Sequence, residues 1–180
     1  LEIEAVHKNK GTLENFKEIK NGIPFQTIHT DIVKSTMVMF LSEILHYSIQ
    51  EEEKNESLFL FLETALTWLD NHDEISNFHL ILLLEITKYL GFYPDTSEID
   101  LPYFEMNDGV FTLFNKGNVL SEHETSLLKK LIDLKFDNTE KIFHVVERQI
   151  LLKVLIDYYS FHLEGFKKPK SLEVLKEIFS

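Results

Sequence analysis

Apolar residues recur at helical spacing along most of the chain, and at one place they surround the helix almost completely. The run Phe78-His79-Leu80-Ile81-Leu82-Leu83-Leu84-Glu85-Ile86-Thr87-Lys88-Tyr89-Leu90 has no polar face, so it predicts a helix at the centre of a bundle. Gly91 and Pro94 mark its end. His72 or Asp73 is expected to start it, with Glu74 complementing the positive helix end. Counted from that start, a helix of ~17 residues is ~25 Å long and approaches bilayer thickness. His79, Glu85, Thr87 and Lys88 interrupt it, however, and no basic loop flanks it, so a buried core helix is expected rather than a membrane span.

The other elements follow from the same reading. Leu1, Ile3 and Ala5 alternate with Glu2 and Glu4, the period of a half-buried strand. Asn9-Lys10-Gly11 is a turn signal, and Leu13 to Ile19 reads as a second strand or a short helix. Two strands are marginal alone, and the chain opens at Leu1 without Met. The expectation is a fragment whose remaining strands lie upstream, with this end poorly ordered or paired through its open edge. Thr30 or Asp31 caps a helix to about Ile49, with Val33, Met37, Phe40, Leu41, Ile44 and Leu45 inward. The charged connector 51–55 leads to a helix ending near Leu69. Leu58, Leu62, Ala65, Leu66 and Leu69 are buried in it, and Trp68 lies at a packing edge.

Beyond Pro94, two apolar runs around Asn107-Asp108-Gly109 predict a β-hairpin over 103–114. Ser121 and Glu124 form a capping box for a helix to about Leu134. Phe143 to Leu163 makes a long helix with a broad apolar face. Gly165 ends it, Pro169 resets the chain, and Ser171 caps a final helix to Phe179. The predicted fold is mainly α: five or six helices with an inserted β-hairpin and N-terminal strand remnants.

Charge narrows the partners. The net charge is −12; residues 1–140 carry 11 Lys/Arg against 25 Asp/Glu, and residues 141–180 carry 7 against 5. Most of such a surface repels nucleic acid, leaving only the C-terminal end as a basic face. With no Cys, disulfides and thiolate metal sites are excluded, and no signal peptide is recognisable.

Motifs for chemistry are missing. No glycine-rich turn opens a helix, and neither H-E-x-x-H nor G-x-S-x-G occurs. His72, Asp73, Glu74 and His79 come closest to a metal set, but capping and surface roles account for them. Tyr158, Tyr159 and Phe161, with Arg148 and Lys153 nearby, read as core aromatics rather than a base-stacking platform. Glu85 and Lys88 are expected to pair. No cofactor, metal or enzyme chemistry is therefore expected. The segment Gly165-Phe166-Lys167-Lys168-Pro169-Lys170-Ser171 concentrates cations before a helix and is the candidate receptor for an anion or a carboxylate.

Lys88-Tyr89-Leu90-Gly91-Phe92-Tyr93-Pro94-Asp95, the closing stretch Tyr158 to Phe179 with Gly165 and Pro169-Lys170-Ser171, and the opening strands resemble, in order, the bacterial DNA repair protein family RecO, in its Bacteroidetes form. The resemblance implies two parts: residues 1–22 as the last strands of a truncated OB-fold, and 23–180 as the C-terminal helical domain. It implies a cytoplasmic, nucleoid-associated recombination mediator of the RecF-type pathway, without a catalytic site. Such a protein acts with RecR, displaces single-stranded DNA-binding protein, helps load RecA and anneals strands. Single- and double-stranded DNA would be contacted mainly through the missing OB-fold.

The helical domain would receive the acidic C-terminal tail of single-stranded DNA-binding protein, which ends in Phe and needs an apolar pocket and a cation. Lys167, Lys168, Lys170, Ser171, His79 and Lys88 are the expected protein- or anion-binding residues. Two departures stand out. Many members bind zinc through four Cys after the Leu-Gly signature, and this chain has none. Some carry an Arg early in the central helix, where this chain has His79, Leu80 and Ile81. The alternative is a helical scaffold or interaction domain unrelated to DNA metabolism, and no membrane association is expected.

Overall fold

The apolar run at the centre of the sequence becomes the axis of the molecule. A computed structural model of the chain describes residues 2–6, 8, 15–49, 54–137 and 142–178. Two strands, β1 (Glu2–Ala5) and β2 (Phe16–Lys20), precede α1 (Ile32–Ser48), α2 (Glu56–Asn71) and α3 (Phe78–Leu90). Then come β3 (Tyr103–Glu105), β4 (Val110–Thr112), α4 (Glu122–Asp133), α5 (Val145–His162) and α6 (Leu172–Ile178). α3 touches α1, α2, α4 and α5, and α6 lies on α1. Phe78 to Leu84, Ile86 and Thr87 are all buried, as a helix without a polar face requires. None of the helices formed by the described residues is long and apolar enough to cross a membrane.

α3 ends as expected. Gly91 takes φ +84°, and the Phe92 N–H donates to the Thr87 carbonyl at 3.0 Å, a left-handed cap that favours glycine. Its start lies later than His72 or Asp73. A tight turn comes first, in which the Ile75 N–H donates to Asp73 O and the Phe78 N–H to Ile75 O, both at 3.0 Å. Buried Ile75 pins that turn, so the helix begins only after Asn77, and Glu74 lies outside its first turn.

The other helices match their sequence signals closely. Asp31, rather than Thr30, caps α1 by accepting from Val33 and Lys34 N–H. The capping box of Ser121 and Glu124 is present, and Trp68 sits half-buried at a packing edge. Tyr158 and Tyr159 are core residues: their hydroxyls donate to Phe92 O at 2.8 Å and to Leu83 O at 2.7 Å, tying α5 to α3 and to the chain beyond it.

The final helix departs from expectation at its cap. The Ser171 hydroxyl is buried without a hydrogen-bond partner. Glu43 of α1 takes the capping role, its Oε2 accepting from Lys170 N–H at 2.5 Å and from Ser171 N–H at 3.4 Å. The expected end at Phe179 lies outside the described residues.

β3 and β4 pair antiparallel, with Phe104 opposite Phe111. Gly109 turns the hairpin at φ +68°, and a Cβ there would lie 2.4 Å from the Tyr158 hydroxyl. Gly91 has a similar φ, but a Cβ there meets nothing within 4 Å. Gly109→Ala is therefore expected to destabilise the chain by about 2 kcal/mol or more, against about 1 kcal/mol for Gly91→Ala. Equal losses in urea melts would show that the Tyr158 contact is immaterial.

The first two strands also pair antiparallel, Ile3 opposite Ile19. Every residue of both strands is exposed, including Ile3, Phe16 and Ile19 at 50%, 60% and 52%. The open choice for Leu13 to Ile19 resolves as a strand from Phe16 onward. Behind it, the turn at 26–28 is docked onto the C-terminal end of α2 through Asp70.

Candidate functional site

α2 presents Phe61, Ala65 and Trp68 on one side, at spacings of four and three residues. α3 presents Ile81 and Glu85 toward the same space, and Phe136, just past α4, forms the third wall. Together they line an apolar groove of about 510 Å³. Its aromatic lining is mutually braced: Phe61 stacks on Tyr89 with centroids 5.0 Å apart, and Trp68 lies 5.5 Å from Phe136 and 5.8 Å from Phe78. Such ring contacts hold a groove open more rigidly than aliphatic side chains would.

Charged groups flank the groove at both ends. At one end Glu85 pairs with Lys88 at 2.6 Å, as the i, i+3 spacing predicts, and the Lys88 ammonium lies 4.5 Å from the centre of the Tyr93 ring. Burial pushes the Tyr93 phenol pKa up, with Lys88 opposing. At the other end the Trp68 indole N–H donates to Asp137 at 3.2 Å, and the His72 ring stacks on Trp68 at 4.1 Å. Lys135 also lines the groove.

The residues expected to bind an anion are not gathered in one place. Lys88 stands beside the groove. His79 is 1% exposed; burial first, and the Arg148 charge second, push its pKa down to about 3. Lys167, Lys168, Lys170 and Ser171 lie on the side of α1 and α5. Lys168 pairs with Asp157 at 2.9 Å, Lys170 donates its backbone N–H to Glu43, and Lys167 is exposed. Burial would raise the Asp157 carboxyl, yet the bonds from Lys153 and Lys168 hold it below the ordinary value. His72 and His79 have separate surroundings, and no group of three or more His, Asp or Glu among the described residues is placed to hold a metal.

The groove itself escaped sequence reasoning. Phe61 and Phe136 lie off the inward stripes of their elements, which is the only signal they carried. Glu43, which fills the N-terminal end of α6, lies 127 residues away from Lys170 in sequence.

Comparison with known proteins places this architecture. A family model described as "Recombination protein O C terminal" matches residues 29–173. A protein of Flavobacterium johnsoniae named DNA repair protein RecO is 83% identical over 180 residues, covering 100% of this chain and 76% of that protein. Its namesake in Flavobacterium psychrophilum is 70% identical over 181 residues, with 100% and 76% covered. In Porphyromonas gingivalis the identity is 30% over 187 residues, with 99% and 76% covered. No solved structure matches significantly.

Proposed function

This chain belongs to the recombination protein O (RecO) family of DNA repair proteins, and on that premise we propose that it is the protein-interaction part of a recombination mediator. In this reading it acts in the bacterial cytoplasm with RecR, displaces single-stranded DNA-binding protein, supports RecA loading and strand annealing, and catalyses no reaction. Residues 1–22 are the end of an OB-fold, and 23–180 are the helical domain. Strands exposed on both faces suit the first assignment, because a lone hairpin is marginal in water. The charge of −12 suits a domain that meets proteins rather than phosphates.

The observation that carries the proposal is the groove between α2, α3 and Phe136. Its apolar floor and fixed aromatic walls suit the terminal Phe of an acidic tail peptide, and Lys88 and Lys135 are the nearby cations for the carboxylate. Lys167, Lys168 and Lys170 form a separate cationic edge for the acidic residues upstream. The test is a fluorescence anisotropy titration with a labelled tail peptide of the organism's single-stranded DNA-binding protein, beside a control lacking the terminal Phe. The expected dissociation constant is in the micromolar range, ~8 kcal/mol at 1 μM, with binding abolished in the control. Phe61→Ala should weaken it about tenfold or more. Binding that survives loss of the terminal Phe, or no binding at low salt, would remove the groove from this role.

A further inference from the structure

The outward face of α1 is a stripe without Lys, Arg, Asp or Glu. Ile32, Ser35, Met39, Ser42 and His46, with Ile49 at the cap, follow one another at alternating steps of three and four residues, the spacing that keeps side chains on one seam of a helix. Ile32 is 74% exposed, and Met39 and Ile49 are each 46% exposed. α1 holds one Lys and one Glu, and both are engaged elsewhere. Lys34 is buried beneath the turn at 26–28, and Glu43 caps α6. Single exposed apolar residues are ordinary. A row of them ~25 Å long, on a chain that is 27% charged, marks a contact surface.

The pattern of the stripe says what covers it, because it is complementary to itself when run antiparallel. About a two-fold axis between Phe40 and Leu41, Ile32 meets Ile49 of a second copy, Ser35 meets His46, and Met39 meets Ser42. The bulkier side chain of each inner pair therefore faces a serine, as interdigitation of two helices requires. Covering the serines strands no donor, since their hydroxyls already donate within the helix, Ser35 to Asp31 O at 2.9 Å and Ser42 to Met39 O at 2.7 Å. The Ser35 oxygen remains an acceptor for the His46 ring N–H of the second copy. Charge favours the same occupant. Two copies at a net charge of −12 repel over most of their surfaces, and this seam is where they meet without that penalty. Antiparallel packing also sets the two helix dipoles against each other favourably.

We propose that the outward face of α1 is a self-association surface, on which a second copy of this chain packs its own α1 antiparallel in that register. The seam is small beside a standard interface of roughly 20–30 residues a side, so the dimer is weak and reversible, with a dissociation constant of ~100 μM. It shares no residue with the α2–α3 groove and stands or falls apart from the mediator reading.

The test is analytical ultracentrifugation of this chain from ~10 μM to ~1 mM, in which the average mass is expected to rise from monomer toward dimer. Met39→Glu, a change at an exposed position, should leave the helical circular dichroism unchanged and weaken the association about tenfold or more, because it brings like charges together at the axis. The chain has no Cys, so single cysteines report the register. Under mild oxidation a mixture of Ser35→Cys and His46→Cys should cross-link into the mixed dimer. Neither variant should cross-link comparably on its own, since like positions lie ~16 Å apart along the seam. A monomer at every concentration, association undiminished in Met39→Glu, or cross-linking of like with like would each overturn the proposal. So would a monomeric longer form carrying the part that this chain lacks relative to its 83% identical relative, of which it covers 76%, because that part would then be what covers α1.

Discussion

Asp70→Ala is expected to lower the melting temperature by about 10 °C, although Asp70 touches neither the groove nor the central helix face. Its side chain is 8% exposed overall and works as an acceptor for a whole turn. The Gln26 N–H reaches Oδ2 at 2.9 Å, and the N–H groups of Thr27 and Ile28 reach Oδ1 at 2.8 and 2.9 Å. Removing the carboxylate strands three consecutive donors, and stranding partners costs more than a hydrogen bond contributes net. Beneath the turn, buried Lys34 donates to the Thr27 hydroxyl at 2.8 Å and to the Asp70 carbonyl at 3.1 Å. Lys34→Met therefore disturbs the same knot, and the double variant should lose less than the sum of the two single losses. Full additivity in thermal melts, or a fall of only a degree or two for Asp70→Ala, would contradict this account.

The same bonds give Asp70 a signature in acid. Led by the Gln26 N–H, and against the opposing effect of burial, they lower its carboxyl pKa to about 2. The unfolded chain then takes up this proton before the folded one does. The contribution is complete above about pH 4 and is lost as the pH falls toward 2. Asp70→Asn, which cannot titrate, should remove that part of the acid dependence.

How much of this was legible from the sequence depended on whether a partner was local. Gly91, Asp31, the Ser121–Glu124 box and the turn at Asn107-Asp108-Gly109 act on residues within four positions of themselves, and each was found where the residues place it. The central helix was legible because a run without a polar face has only one place to go. Misreadings arose where a distant group did the work. Ile75, buried against the core, delays the start of α3 past His72 and Asp73. Glu43 displaces Ser171 as the cap of α6 and occupies backbone N–H groups that the lysine-rich segment seemed to offer to a ligand. Lys34 shows the same limit, since nothing in α1 marks a lysine as the buried partner of a turn and of a carbonyl on α2. The groove is also a tertiary object: Phe61, Ile81 and Phe136 come from three elements, and none has a periodic signal pointing to the others.

Acidification from pH 7 to pH 5 is expected to destabilise the chain by about 2 kcal/mol through His79 alone. His79 is 1% exposed in the first turn of α3, and burial, with Arg148 second, pushes its pKa down to about 3 in the folded state, from an ordinary 6.5. The sign follows from that order. The unfolded chain gains a proton on His79 as the pH falls through 6.5, while the folded chain stays neutral, so acid favours unfolding. The loss grows down to about pH 3, where the folded state also takes up the proton, and then levels off. His79→Leu removes the titrating group at similar volume and should flatten the dependence between pH 7 and 5, whatever its effect at neutral pH. The comparison belongs in urea melts at constant ionic strength. Were the slope unchanged in His79→Leu, the acid sensitivity would belong to others among the eight histidines. The His79 loss develops mostly above pH 4 and the Asp70 loss below it, so a single pH series on the parent, His79→Leu and Asp70→Asn separates the core histidine from the docked turn.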